Sequence, residues 1–241
     1  MKRTTNLLII LMMAMNMESS AQTISGNING HEYVDLGLPS GLKWATVNLT
    51  NTCFAWGDKE NGYPFSCDGY IWCKRKSHKL VDLREIDNID LFQITKYGEK
   101  DGKTSLEAAD DAARVLWGAP WRMPTAEELQ ELYDGCQWEY FFTNTDRVKV
   151  GFKGTSKYNG ATIFLPNGPD GGRITSFEQH FMTVEWASVC ASLWSSSRAS
   201  TEWDAKCLML IHNLDAKRDR VSGGVGMELR YRGLPIRAVC Q

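Results

Sequence analysis

No Cys-x-x-Cys pair occurs among these 241 residues and the four histidines are scattered, so the ligand spacing of a zinc site is missing. His31-Glu32 is followed by Asp35, where a zinc-protease helix needs a second histidine. No Gly-x-Ser-x-Gly elbow is present to expose a nucleophilic serine. Basic residues do not dominate: 27 Lys and Arg stand against 29 Asp and Glu, and the densest basic run is Lys74-Arg75-Lys76, read as a solvated loop. With no basic face to meet phosphates, no nucleic-acid partner is expected. Beyond the N-terminal segment no apolar stretch approaches the ~20 residues of a membrane-spanning helix. Neither an internal repeat nor a shift in composition divides the chain.

What is present begins with an export signal. Lys2 and Arg3 precede an unbroken apolar run from Leu7 to Met15, and Ser19-Ser20-Ala21 places small residues before Gln22. Basic flank, short apolar run and small-residue exit, in that order, describe a secretory signal peptide. The expected organisation is a signal peptide over 1–21, a linker over 22–30 and a single domain over 31–241. The residue directly after the cleavage point is Gln22 and not a cysteine, so a lipid anchor is not indicated. Removing Lys2, Arg3 and Glu18 takes the formal charge from −2 to −3.

The mature part is rich in rings: nine Trp, nine Phe and eight Tyr are enough to fill a sizeable core. All seven cysteines (53, 67, 73, 136, 190, 207 and 240) lie in it, and the odd count leaves at least one outside any disulfide. Cys190 and Cys207 are a candidate pair across a hairpin.

Two helices are marked. Thr104 and Glu107 form a capping-box pattern followed by Leu106, Ala109, Ala113, Leu116 and Trp117 on one face, with Gly118 and Pro120 as the stop. Thr125 and Glu128 repeat the pattern after Pro124, with Leu129, Leu132, Tyr133 and Cys136 facing inward. Asp110 and Asp111 then fall inside the first helix, where a solvated face or bonds to a neighbouring loop explain them better than paired catalytic acids. Trp117 and Trp121 read as a core clamp between the helices rather than a sugar-stacking platform, and Trp194 as core. Strands are expected over 31–36, 43–48, 148–152, 162–165, 191–195, 207–211 and 236–239, with Asn167–Gly172 and Ser222-Gly223-Gly224 as breaks. Residues 74–103 are charged and poorly periodic, which predicts a long surface excursion. The fold class is α+β: two helices packed on twisted, mainly antiparallel strands, with long loops.

The blocks "EYVDLGLPSGLKWATVN", "FAWGD", "TKYG", "LEAADDAARVLWGAPWRMPTAEELQEL", "CQW", "IFLP", "LWSSS" and "GLPIRAVC" occur in this order. Together they resemble the Fibrobacter succinogenes major paralogous domain family over about residues 31–240. The resemblance implies a C-type lectin-like fold, similar also to formylglycine-generating enzymes, with N- and C-terminal strands side by side and a ligand face in the last quarter of the chain. It also implies an exported protein of a Gram-negative bacterium, periplasmic, secreted or on the cell surface. The chain departs from the family pattern over 167–190, in Pro-Ile-Arg-Ala-Val where Ser-Val-Arg-Pro-Val is usual, and in an enlarged 74–101 excursion.

These readings converge on a non-catalytic binding protein for a glycan or a protein. Its ligand face is expected in loops around 196–206 and 212–232, carrying Arg198, Glu202, Trp203, His212, Asp215, Arg218, Arg220, Glu228, Arg230 and Tyr231. No catalytic residue, metal or cofactor is expected. Asp204 with Asn167 and Asp170 falls short of the six to eight oxygens that calcium takes. The alternative from fold kinship is a divergent copper oxidase of the formylglycine-generating type, using Cys67 and Cys73. These have five residues between them instead of four, and no Arg-Gly-Gly-Ser stretch precedes them. A structural part of a surface assembly is a third reading.

Overall fold

The computed structural model describes residues 22–60, 66–76, 88–142, 150–167, 188–213 and 220–241. Residues 1–21, expected as a signal peptide, and Asp170, Asp215 and Arg218 lie outside the described residues.

The segment expected as a linker carries a strand. β1 (Gly26–Ile28) and β2 (His31–Asp35) form a hairpin through Asn29-Gly30. Both turn residues have positive φ, 52° and 86°, the two-residue turn whose twist matches that of its strands. β3 (Lys43–Ala45) pairs with β2, and β12 (Val239–Cys240) pairs with β3, giving the sheet order β1-β2-β3-β12. The first and last strands therefore share one sheet. Its register aligns Val34, Trp44 and Val239, all fully buried.

Helix α1 (Ala112–Trp117) is much shorter than its apolar spacing suggests. Asp111 caps it by accepting from the Arg114 N–H, and residues 104–106 instead lie along the end of a later strand, Leu106 donating to Ser196 O at 2.9 Å. The Thr104–Glu107 pattern therefore caps nothing. Helix α2 (Ala126–Gly135) starts at the Thr125–Glu128 capping box, with both reciprocal bonds formed. Leu129 and Leu132 are fully buried on its inner face.

β4 (Cys73–Arg75) and β5 (Phe92–Ile94) form a short hairpin within the excursion. β6 (Cys136–Phe142), β7 (Val150–Ser156) and β8 (Thr162–Pro166) form an antiparallel sheet in that order. β9 (Ser188–Arg198), β10 (Asp204–Asn213) and β11 (Val221–Leu229) form another, ordered β11-β10-β9. β11 runs through Ser222-Gly223-Gly224, expected as a break. A Cβ on Gly223 would lie 2.2 Å from the Met209 carbonyl oxygen, so glycine permits the close approach that pairing requires here. Among the described residues all strand pairs are antiparallel, and with two α-helices the architecture is α+β.

One apolar cluster joins α2 to Leu193, Leu208 and Leu210 of the β9–β11 sheet and to Phe152, Ile163 and Leu165 of the β6–β8 sheet. A second holds Phe54, Trp56, Tyr97, Trp121 and Trp194. Trp121 is fully buried, and its Nε1 donates to Ile28 O at 3.1 Å. Trp117 is only half-buried and stacks on the His31 ring at 3.8 Å. Cys207 sits opposite Trp194 and Cys190 opposite Ile211. The two cysteines are thus four residues out of register, about 13 Å at ~3.3 Å per residue, which is beyond the reach of a disulfide.

Candidate functional site

β10 is ten residues long, so its ends lie about 30 Å apart at ~3.3 Å per residue. The single face expected from residues 196–232 is therefore split between the two ends of one sheet. Arg198, Glu202, Trp203, Glu228, Arg230 and Tyr231 belong to the end with the 198–204 turn, whereas His212 and Arg220 belong to the other.

The 198–204 end is locally fixed. The Ala199 N–H donates to Asp204 O, the Thr201 hydroxyl donates to the Asp204 carboxylate at 2.5 Å, and the Trp203 N–H donates to Thr201 Oγ1. The loop following β5 packs against this turn. Tyr97 takes a left-handed backbone, φ 57°, and its N–H donates to Asp101 Oδ2 at 2.6 Å. A non-glycine residue held in that region carries backbone strain and requires support from its surroundings.

Arg230 supplies that support. It is fully buried, with its guanidinium 4.5 Å over the Trp56 ring. It donates to the carbonyls of Glu202 at 2.9 Å, Tyr97 at 2.8 Å and Lys96 at 3.3 Å. One side chain thus ties the turn to the loop, and its own N–H and C=O bond Trp203 O and Trp56 N. Burial pushes its pKa down, with Arg198 nearby acting in the same direction.

Charged groups edge this platform, largely paired with one another. Lys96 Nζ bonds Asp110 Oδ2 and lies 3.0 Å from Glu107 Oε2, while Lys103 bonds Glu107 Oε1 at 2.5 Å. Lys96 also sits over the rings of Trp72 and Tyr97, at 5.7 and 4.9 Å. Its bond to Asp110 holds its pKa above the ordinary lysine range. Burial raises the Asp110 pKa, but the bonds from Lys96 and the Tyr97 hydroxyl together outweigh it and leave the carboxyl below its ordinary value. Burial, helped by the bond to Asp110, pushes Tyr97 up to about 12, so it is a neutral phenol at physiological pH. Trp72 and Trp203, both half-buried, pack on the cluster of Cys67, Tyr70, Phe92 and Tyr231 beneath.

No family model, curated protein or solved structure matches this chain.

The residues singled out in the sequence therefore divide. Glu202 and Trp203 are on the platform, half-buried, and Glu202 Oε2 accepts from the Glu99 N–H at 3.4 Å. Arg198 is half-buried beside Arg230. Arg230 and Tyr231 (0% and 2% exposed) cannot present a surface to a ligand and are corrected to interior supports. Glu228 is half-buried, and burial raises its pKa. His212 is buried and stacks on the Tyr140 ring at 4.5 Å, which corrects its place on the ligand face; Arg220 is exposed. Lys96, Tyr97 and Trp72 were not anticipated as site residues; the sequence marked 74–103 only as a charged surface excursion.

Asp110 and Asp111 take the loop-bonding role expected of them. Asp111 accepts from the Met123 N–H with both oxygens, at 3.1 and 2.9 Å, and burial raises its pKa. Beside them a cavity of about 230 Å³ is lined by Ser105, Arg114, Arg122 and Ser196 among others. Arg122 is already held by Glu128 in a two-pronged bond of 2.7 and 2.6 Å, one prong also reaching Met123 O. Burial pushes the Cys136 and Cys207 thiols up to about 12, which keeps them protonated and poorly nucleophilic. Among the described residues no group of three His, Cys, Asp or Glu could hold a metal, and no described helix is long and apolar enough to cross a membrane.

Proposed function

We propose that the mature chain is an exported, non-catalytic binding domain of C-type lectin-like fold, related to the Fibrobacter succinogenes major paralogous domain family, with a glycan or protein as ligand. The ligand face is the platform built from the 96–107 loop and the 198–204 turn. The observation that carries this is the buried Arg230, which fastens both segments by their carbonyls and so presents Trp72, Trp203, Lys103 and Glu202 on a pre-organised surface. Rigid loops edged by aromatic and charged groups suit recognition, because little ordering cost remains at binding. Mutual pairing of Lys96, Lys103, Glu107 and Asp110 suits it too: these charges are positioned rather than poised for proton transfer.

In a screen of residues 22–241 against glycan and protein arrays, a hit should lose at least about thirtyfold in affinity with Trp203→Ala, the effect of removing a hot-spot anchor of ~2 kcal/mol. The melting curve should barely move. Unchanged affinity in Trp203→Ala together with loss in Arg220→Ala would transfer the face to the opposite end of the sheet. Export is checked separately. The protein recovered from outside the cytoplasm should begin at or near Gln22, and an intact Met1 chain in the cytoplasm at natural expression would contradict it.

The copper-oxidase alternative would use Cys67 and Cys73. The sulfurs of Cys67 and Cys73 lie 2.7 Å apart despite the non-matching spacing. Stoichiometric copper binding with oxidation of a peptide thiol would support that reading.

A further inference from the structure

The same contact supports a different assignment. We propose that Cys67 and Cys73 close as an intramolecular disulfide once the chain leaves the cytoplasm, and that this cross-link staples the aromatic floor of the platform. The oxidising compartment rests on the export reading above; the pairing itself rests on geometry.

Backbone turns bring the two residues together without help from the sulfurs. Gly69 N–H donates to Ser66 O, Tyr70 N–H to Cys67 O and Cys73 N–H to Tyr70 O, at 3.2, 3.4 and 2.9 Å, which coils 66–73 back on itself. Each end is then anchored. Cys67 is fully buried with Tyr70, Phe92 and Tyr231, and Cys73 begins β4 opposite Ile94. At 2.7 Å the sulfurs are nearer than two thiols rest in ordinary contact. A small side-chain rotation brings them to the ~2.05 Å of a bond. Trp72, adjacent to Cys73, meets Trp56, Tyr70 and Tyr97 edge-on. Closing the link therefore restrains the indole that underlies Lys96.

The chemistry balances by thiol–disulfide exchange with a small-molecule or protein disulfide as oxidant. Cys73, the more accessible of the two, attacks as thiolate one sulfur of the oxidant, forming a mixed disulfide and releasing one thiol. The Cys67 sulfur then attacks the Cys73 sulfur and expels the second thiol. Two protein thiols are oxidised and one oxidant disulfide is reduced to two thiols.

The test uses the purified mature chain, equilibrated with oxidised glutathione, blocked with an alkylating agent and digested with trypsin. Residues 60–74 form one tryptic peptide containing both cysteines and no internal Lys or Arg. The expected result is a peptide two hydrogens lighter than the dithiol and unalkylated, which takes two alkyl groups after reduction. Reduction should also lower the melting temperature by roughly 5 °C, since a short staple contributes a modest stabilisation. In Cys67→Ser that reduction-dependent shift should vanish and Cys73 should become alkylatable. Both cysteines alkylated in the oxidised wild-type sample, or either one linked to a third cysteine, would overturn the proposal. Because glutathione sets the poise in vitro, that result is independent of where the chain resides, and N-terminal sequencing tests export on its own.

Discussion

Arg230→Ala is expected to destabilise the protein by about 3–5 kcal/mol, lowering the melting temperature by roughly 10 °C. The substitution strips donors from the carbonyls of Lys96, Tyr97 and Glu202 and leaves a void against Trp56. Each buried carbonyl left unpaired costs ~1–3 kcal/mol, so the sum is a large share of the ~5–15 kcal/mol that stabilises a typical domain. Arg230→Lys should recover only part of it. A single ammonium cannot reach carbonyls on both segments while its stem covers the Trp56 ring. Thermal melts of the three proteins check this. A variant that melts like the wild type but loses ligand would restore Arg230 to the surface role first read from the sequence.

Trp121→Ala is expected to cost a similar ~3–5 kcal/mol, through the cavity it leaves and the orphaned Ile28 carbonyl. Trp121 contacts the His31 and Trp117 rings edge-on, at 6.1 and 5.4 Å, so its loss also loosens the β1–β2 hairpin from α1. Trp117→Ala should cost less, because that ring is already half-exposed. Chemical denaturation of both variants measures the order. If Trp121→Ala left stability unchanged and abolished ligand binding, the indole would be a sugar platform after all.

The sequence was most legible where a signal is local. The Thr125–Glu128 box marked the start of α2, and the strands expected over 31–36 and 162–165 fall on β2 and β8, since each signal rests on neighbours a few residues away. Trp121 and Trp194 read correctly as core, because an indole has few other stable places in a folded domain. Legibility failed where distant partners decide. The pattern at 104–117 describes a long amphipathic helix, yet the end of β9 takes 104–106 as a partner and Asp111 starts the helix late. Gly223-Gly224 resembles a turn until Met209 is placed across from it. Arg230 misled most, and Arg237 drew no reading of its own. Arginine is seldom fully buried, and only the folded chain shows Arg230 bridging two loops and Arg237 reaching Asn48, Ala45 and Phe164. The sheet separates the residues expected on one face into two groups at its opposite ends, and Lys96 and Tyr97, which pack beside the 198–204 turn, come from the excursion expected over 74–103.

The central claim is that ligand is held at the 198–204 end of the sheet, on the surface that Arg230 fastens. Amide hydrogen exchange of the mature chain, with and without a ligand from the array screen, tests it most directly. The account predicts slowed exchange concentrated in 96–107 and 198–204, with little change around Arg220. Slowing confined to the Arg220 end, or absent from 96–107 and 198–204 under saturating ligand, would contradict it.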